Sequence, residues 1–169
     1  MPVIRTVTGD IDTSALGVCY GHEHVLGGPP VPDHDPDLTM DSEAAAVCEL
    51  TWFRKAGGNA LVEMSPIDYR RNVEGLKRVS EQTGVYIICT SGHHKEEFSR
   101  SWIADETVES LAARFMKEVN EGVDSTGIRA GVIKAASSKN LISANEGKVF
   151  RAAAAAHHAT GAPVATHTE

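Results

Sequence analysis

The chain of 169 residues is 41% hydrophobic and 23% charged, which predicts a single globular domain over residues 1–169 and excludes a disordered or fibrous protein. The formal net charge of −7 argues against partners such as nucleic acids or anionic membrane surfaces. The sequence has no apolar run near the roughly 18 residues of a membrane span, no secretory leader pattern and only three scattered cysteines, so we predict a cytoplasmic protein without a membrane partner.

Apolar strand segments alternate with helical segments along the chain. The predicted strands lie at residues 3–8, 11–13, 16–25, 59–65, 85–91, 128–136 and 163–167, and the first two form a small hairpin. The predicted helices lie at residues 41–56, 72–82, 105–121 and 145–160. The last helix shows both ends clearly, with a Ser143-x-x-Glu146 capping box before it and Gly161 after it. Strand–helix–strand repetition predicts βαβ units and a parallel sheet.

Two α/β architectures fit this order of elements. One is a doubly wound open sheet, in which His22 and His24 would be core residues. The other is a (β/α)₈ TIM barrel truncated after its fifth strand, which makes a half-barrel preceded by the hairpin. No strand is followed by a Gly-x-Gly-x-x-Gly or Walker loop, so a nucleotide-binding open sheet loses support. We favour the barrel, because barrel enzymes place catalytic groups after the strands and polar side chains recur there: His22, His24, Asp68, His93, His94, Lys134 and His167.

A His-x-His pair lies at the end of the strand predicted at residues 16–25. Side chains alternate along a strand with period two, so His22 and His24 share one face and could grip a divalent metal ion. Glu23 points to the opposite face, and we expect its role to lie outside the metal's coordination shell. The alternative is a structural role, in which the two histidines are hydrogen-bonded at the mouth of the barrel.

Lys134 interrupts an otherwise apolar strand at residues 128–136. Burying an ammonium group is costly, so a buried lysine tends to lose its proton. A neutral amine can take up CO₂ and become a carbamate, an anionic group able to bridge two metal ions. The alternative is a lysine that extends its charged head to the barrel mouth and remains solvated.

Three motifs in order resemble those of the phosphotriesterase family of the amidohydrolase superfamily, including its phosphotriesterase-like lactonases. They are His22-x-His24, Gly-Ile-Arg-Ala-Gly-x-Ile-Lys134 and Gly-x-Pro-Val-x-Thr-His167-Thr. The resemblance runs over essentially the whole chain but covers two-thirds or less of a family member. It implies a (β/α)₈ barrel with two divalent metal ions, usually zinc. It also implies that His22 and His24 bind the more buried ion, that carbamylated Lys134 bridges both, and that His167 binds the more exposed one.

The resemblance also implies the chemistry. In this family a hydroxide shared by the metals attacks a phosphorus or carbonyl centre, with the bridging Lys134 as part of the catalytic centre. We therefore expect a zinc-dependent hydrolase of small-molecule esters: lactones, carboxylic esters or phosphotriesters. His94, with His93 as the alternative, follows the third strand, where the family contributes a side chain to the substrate pocket. Relatives that act on lactones or organophosphates tend to have tyrosine or tryptophan there, so the substrate is left open.

The family's two remaining metal ligands, a histidine from the sixth strand and an aspartate from the eighth, have no counterpart in this sequence. An open half-barrel would also expose sheet edges that a closed barrel removes, and such barrels usually need about 250 residues. We therefore expect a fragment or truncated product of a longer enzyme. The alternative function is a catalytically incompetent half-barrel that acts through association, with a homodimer as one candidate assembly.

Two further histidine positions receive structural predictions. His34, in the loop at residues 27–37, is expected to be a solvated loop residue. His157 and His158 lie in the last turn of an Ala-rich helix, where an imidazolium suits the negative end of the helix dipole.

Overall fold

The computed structural model describes residues 2–31 and 35–168, so the prediction for His34 lies outside the described residues. A hairpin of two strands comes first, followed by strands that alternate with helices. The strands are β1 (Val3–Thr6), β2 (Gly9–Asp12), β3 (Cys19–Glu23), β4 (Ala60–Glu63), β5 (Tyr86–Gly92), β6 (Val132–Ser137) and β7 (Val164–Thr168). The helices are α1 (Glu43–Lys55), α2 (Val73–Thr83), α3 (Glu96–Ile103), α4 (Val108–Asn120) and α5 (Ala144–Thr160).

The five strands β3 to β7 form one sheet in which every neighbouring pair is parallel. Their spatial order follows their order in the chain. A doubly wound sheet would reverse its strand order at a switch point, so this order excludes the open-sheet alternative. The half-barrel with an N-terminal hairpin is confirmed.

The sheet has two apolar faces, each with its own core. The outer face packs against the helices through a large cluster that includes Leu61, Ile87 and Ile133. The inner face carries a smaller cluster that includes Met64, Ile88 and Val132. Because side chains alternate along a strand, Lys134 lies on the same inner face as Val132. Side-chain alternation along the strand thus places Lys134 inside the half-barrel and not on the side that faces the helices.

The hairpin of β1 and β2 lies at the amino ends of the sheet strands. The Val7 N–H donates a hydrogen bond to the Ile87 carbonyl at 2.8 Å, near the start of β5. The Arg129 guanidinium lies 2.7 Å from the Asp10 carboxylate, which joins the hairpin to the segment before β6. Ile4 of β1 packs against the inner cluster. The hairpin therefore covers one end of the half-barrel and leaves the carboxyl ends of the strands for the candidate site.

Four strands are shorter than predicted, those predicted at residues 3–8, 16–25, 59–65 and 128–136. The strand predicted at residues 16–25 spans Cys19–Glu23, and its register shifts between Tyr20 and Glu23. The strand predicted at residues 128–136 begins only at Val132. Gly131 lies so close to the hairpin that a Cβ there would be 2.7 Å from the Arg5 carbonyl oxygen. This close contact lies directly before the observed start of the strand, while Ile128 and Ala130 pack in the helix-side core.

The helix α3 was not predicted. It spans eight residues and has no side-chain cap at its start, because Lys95 precedes it where a Ser, Thr, Asp or Asn would normally mark a helix. Among the described residues, none of the helices combines the length and the apolar character that crossing a membrane requires.

Candidate metal centre

Three histidines and a lysine come together at the carboxyl ends of the strands. His22 lies in β3, His24 follows directly after it, Lys134 lies in β6 and His167 in β7. The ring centroids of His22 and His24 are 5.6 Å apart, and those of His22 and His167 are 6.4 Å apart. β3 and β7 are the outermost strands of the sheet, so the sheet must curve strongly to bring their inner side chains this close. All four predicted ligands thus lie in one cluster, and their role in metal binding remains a prediction.

The Lys134 side chain is completely buried and does not reach solvent. Its Nζ donates a hydrogen bond to the Met64 carbonyl at 2.7 Å. Burial lowers the pKa of Lys134 to about 8, although the carboxylates of Asp68 and Glu63 oppose the shift. Such a lysine is a neutral amine, the form that can react with CO₂, more often than an exposed lysine is. The solvated alternative for this residue does not match its position.

Two histidines of the cluster, His22 and His24, are held in the neutral form. Burial, with the Lys134 charge as the next cause, lowers the pKa of His24 to about 3. The pKa of His22 is also lowered, for the same two reasons and by the nearby His167. Neutral imidazole is the form that binds a metal ion, because a protonated ring has no free lone pair.

A buried pair of side chains lies behind His24. The Nδ1 atom of His24 is 2.9 Å from the Ser65 hydroxyl oxygen. The Ser65 side chain lies beside the carboxylate of Glu63 and lowers its pKa, and that carboxylate accepts the N–H groups of Val25 at 2.5 Å and Ser65 at 3.2 Å. Gly27 makes room for this arrangement, because a Cβ there would lie 2.5 Å from the Ser65 hydroxyl oxygen. Sequence reasoning missed both residues, although a glutamate inside the apolar strand Ala60–Glu63 was a signal.

His94 lies beside the cluster, as predicted for a residue of the substrate pocket. Its ring centroid is 4.7 Å from that of His167. Its backbone N–H donates to the Asp68 carboxylate at 3.0 Å, and its Nδ1 accepts the Lys95 N–H at 2.8 Å. Burial, with Lys134 next, lowers the pKa of His94 to about 2. A neutral ring whose Nδ1 accepts a hydrogen bond must carry its proton on Nε2, so His94 offers a hydrogen-bond donor.

His93, the alternative pocket residue, is turned away from the cluster. Its ring is completely buried and packs against Phe115 of α4, with centroids 5.8 Å apart. Its Nε2 is 2.5 Å from an Arg114 guanidinium nitrogen and its Nδ1 is 3.3 Å from Asp68. The alternation of side chains after β5 puts His93 on the helix side, and this position argues against contact with a substrate at the cluster.

An aromatic wall adjoins the histidines and was not predicted. Tyr69 stacks on His94 with centroids 5.2 Å apart and lies 5.1 Å from the His24 ring. Phe98 of α3 packs on His94 at 5.0 Å. Tyr69 follows β4 in a short 3-10 turn, and nothing in its local sequence marks it as part of a site.

The donor set fits zinc by type, but it is not yet closed around an ion. Imidazole nitrogens are common zinc ligands, and three imidazole rings lie together near the buried Lys134 side chain. Among residues 2–31 and 35–168, no group of three His, Cys, Asp or Glu side chains already has the spacing to hold a metal ion.

A hollow of about 450 Å³ lies beside the cluster, between β3, the segment at residues 39–42 and α1. Glu23 and His24 both line it, together with Tyr20 and Phe53. Glu23 therefore faces the helix side of β3, in agreement with the expectation that it is not a metal ligand.

Glu63 predicts a specific dependence of stability on pH. Burial raises its pKa from 4.5 to about 7, opposed by hydrogen bonds from Ser65 and Val25. The folded chain then binds this proton more tightly than the unfolded chain, so the contribution of Glu63 to the free energy of unfolding is greatest below pH 4.5 and is lost as the pH rises to 7. The loss is at most about 3 kcal/mol.

Urea denaturation of the wild type and of Glu63→Gln at pH 5 and pH 8 measures this loss, because all other groups titrate alike in both proteins. Relative to the variant, the wild type is expected to become less stable at pH 8. A difference that is the same at both pH values would contradict the expectation.

The strand order and the polar cluster at the carboxyl ends define the class of protein, the first part of a (β/α)₈ barrel with its candidate site where such barrels place it. The sequence model of the phosphotriesterase family matches residues 2–169. The chain belongs to the phosphotriesterase family.

Individual relatives agree with this assignment. A lactonase from Listeria monocytogenes is 30% identical, with a TM-score of 0.91 over 99% of this chain and 57% of the lactonase. The organophosphorus hydrolase from Deinococcus radiodurans is 36% identical, with a TM-score of 0.84 over 98% of this chain and 53% of that enzyme. The N-acetyltaurine hydrolase of Danio rerio is 31% identical over 97% of this chain and 56% of its own length. The chain spans little more than half the length of the relatives it matches.

Proposed function

We propose that the chain contributes the first metal-binding half of a zinc-dependent hydrolase that cleaves ester-type bonds in small molecules. The observation that carries the proposal is the convergence of His22, His24 and His167 around the buried Lys134 amine. These four side chains come from three strands and converge on one place. The packing of the core does not explain this convergence.

Each residue of the cluster receives a role in this proposal. His22 and His24 would hold one zinc ion, His167 a second, and Lys134 as a carbamate would bridge the two. When bound, such an ion pair lowers the pKa of a water molecule and polarises the oxygen of a carbonyl or phosphoryl group. His94 would donate a hydrogen bond from Nε2 to a substrate oxygen, and Tyr69 and Phe98 would form the apolar wall of the pocket.

The names of the relatives support small substrates with a carbonyl or phosphoryl centre. They comprise a lactonase, an organophosphorus hydrolase and an N-acetyltaurine hydrolase. We infer that lactones and carboxylic esters are the first substrates to assay, with phosphotriesters next. The cytoplasmic location and the homodimer remain predictions.

Zinc titration and chelation test the proposal on the chain itself. Isothermal titration calorimetry is expected to give about two zinc ions per chain, and hydrolysis of a γ-lactone, p-nitrophenyl acetate or paraoxon should be lost with a chelator and restored by zinc. Neither outcome should depend on His157 or His158, which lie in the last turn of α5 before the start of β7, whereas His167 lies at the carboxyl end of that strand. Less than one zinc ion per chain without hydrolysis would overturn the proposal.

That negative result would favour the second candidate, a half-barrel that acts through association. The open strand β3 supports it, since Val18 and Tyr20 are more than half exposed beside it. Size-exclusion chromatography with light scattering would then be expected to show an assembly larger than one chain.

A further inference from the structure

Two buried residues behind the cluster, Glu63 and Ser65, form a row with His24 and have no role in the proposed function. The row runs from the Glu63 carboxylate to the Ser65 hydroxyl and on to Nδ1 of His24, with 2.9 Å between the last two atoms. Glu63 is completely buried and Ser65 is 1% exposed. Burying a carboxylate without a cationic partner at hydrogen-bond distance is costly, and the described residues give Glu63 no such partner. A functional role for Glu63 would explain why a carboxylate lies here.

The row has a preferred direction when Glu63 is ionised, above its pKa of about 7. The Glu63 carboxylate accepts two backbone N–H groups and lies beside the Ser65 side chain, which lowers its pKa. A serine hydroxyl has a single proton to donate, and an ionised carboxylate is a stronger acceptor than a neutral imidazole. With that proton directed at Glu63, the Ser65 oxygen accepts from His24, so that Nδ1 of His24 carries a proton and Nε2 keeps its lone pair.

Its neighbour His94 shows the opposite arrangement. There Nδ1 accepts the Lys95 N–H at 2.8 Å, which puts the proton on Nε2. Two neutral imidazoles that both contact Tyr69 are thus set to opposite tautomers by their backing residues. One presents a lone pair to the cluster and the other presents a donor.

We propose that Glu63 and Ser65 are positioning residues that fix His24 as a zinc ligand through Nε2. The inference rests on the zinc site proposed above and adds the residues that orient one of its ligands. Hydrogen-bonded partners behind a metal-binding histidine fix its ring and tautomer, and their loss typically lowers metal affinity by about 10- to 100-fold. Gly27 supports the same arrangement of side chains, because any larger residue there would displace the Ser65 hydroxyl.

Ser65→Ala is expected to weaken zinc binding by about 10- to 100-fold, as measured by competition with a chromophoric chelator. The matched control is Ser80→Ala. Ser80 is another buried serine, whose hydroxyl donates to the Val85 carbonyl at 2.6 Å between α2 and β5. This control should lose stability but retain the zinc affinity of the wild type. A folded Ser65→Ala variant with unchanged zinc affinity would overturn the proposal.

A second measurement needs neither zinc nor a variant. Long-range ¹H–¹⁵N NMR spectra of the metal-free wild-type chain at pH 8 report the tautomer of each histidine, at a pH above the pKa of about 7 of Glu63. We expect a protonated Nδ1 for His24 and a protonated Nε2 for His94. The reverse tautomer at His24 would refute the positioning role even where zinc binds. If the tautomers are as expected but zinc does not bind, the proposed function fails while the orienting row stands.

Discussion

Replacing Lys134 with methionine is expected to reduce bound zinc from about two ions per chain to one or fewer and to lower ester hydrolysis by more than about 100-fold. We expect this loss of bound zinc because Lys134 is the only group proposed to contact both ions. Even residues that only hydrogen-bond to a metal ligand contribute about 10- to 100-fold to metal affinity. The variant should still fold, since it leaves one buried carbonyl, that of Met64, without its donor, at a cost of about 1–3 kcal/mol. Zinc content by atomic absorption and initial rates of hydrolysis measure the two effects.

The matched control is Lys148→Met. Lys148 is another lysine whose ammonium is held by backbone carbonyls, those of Ile103, Ala104 and Glu106, at 2.8 to 3.0 Å. Its loss should lower the melting temperature by detaching α5 from the end of α3, without changing zinc content. If Lys134→Met retains two tightly bound zinc ions, the bridging role of this lysine is wrong.

Replacing Arg71 with methionine is expected to cost about 3–5 kcal/mol of folding stability. The guanidinium side chain is 1% exposed and lies 3.0 Å from both Glu118 and Asp124, while it also donates to the Thr90 carbonyl at 2.9 Å. Removing it would leave the Glu118 carboxylate, which is itself 10% exposed, with the Ser91 hydroxyl as its one remaining side-chain partner among the described residues. For a chain of this size the melting temperature should fall by about 10 °C.

A surface ion pair provides the comparison. Arg78 and Glu43 join α2 to α1 at 2.5 Å, but the Arg78 side chain is 52% exposed. Exposed pairs contribute about 0–1 kcal/mol, so Arg78→Met should shift the melting temperature by no more than about 3 °C. Equal shifts for the two variants in differential scanning calorimetry would show that burial does not determine the contribution of Arg71.

Much of this fold follows from the sequence because its signals are local. The capping box at Ser143 and the left-handed Gly161 bound α5 as predicted, since both act on the backbone next to them. The strand that contains Lys134 was predicted too long, because Ile128 and Ala130, which pack in the helix-side core ahead of the strand, resemble strand residues in sequence. The helix α3 has no capping side chain, and its start is therefore invisible in a local pattern.

The candidate site likewise contains residues that local patterns predict and residues that they do not. Period-two alternation placed His22 and His24 on one face, the family resemblance added Lys134 and His167 to them, and the structure brings these side chains together. Alternation could not show that Ser65 lies behind His24, because that contact joins residues 41 positions apart. It also could not separate His93 from His94. Which of two consecutive residues enters a pocket depends on how the chain leaves the strand, and here Asp68 holds the backbone of His94.

The way the chain leaves β5 limits how the pocket can vary. Gly92, the last residue of that strand, has a φ of +90°, and a Cβ there would lie 2.0 Å from the Lys134 carbonyl oxygen. The next residue, His93, donates its N–H to that same carbonyl at 3.1 Å. The first residues of the loop that carries His94 are thus fixed to the backbone of Lys134, the proposed bridging lysine. Variants made to change substrate preference should therefore alter the loop beyond residue 94, because a side chain introduced at position 92 would displace the lysine along with the loop.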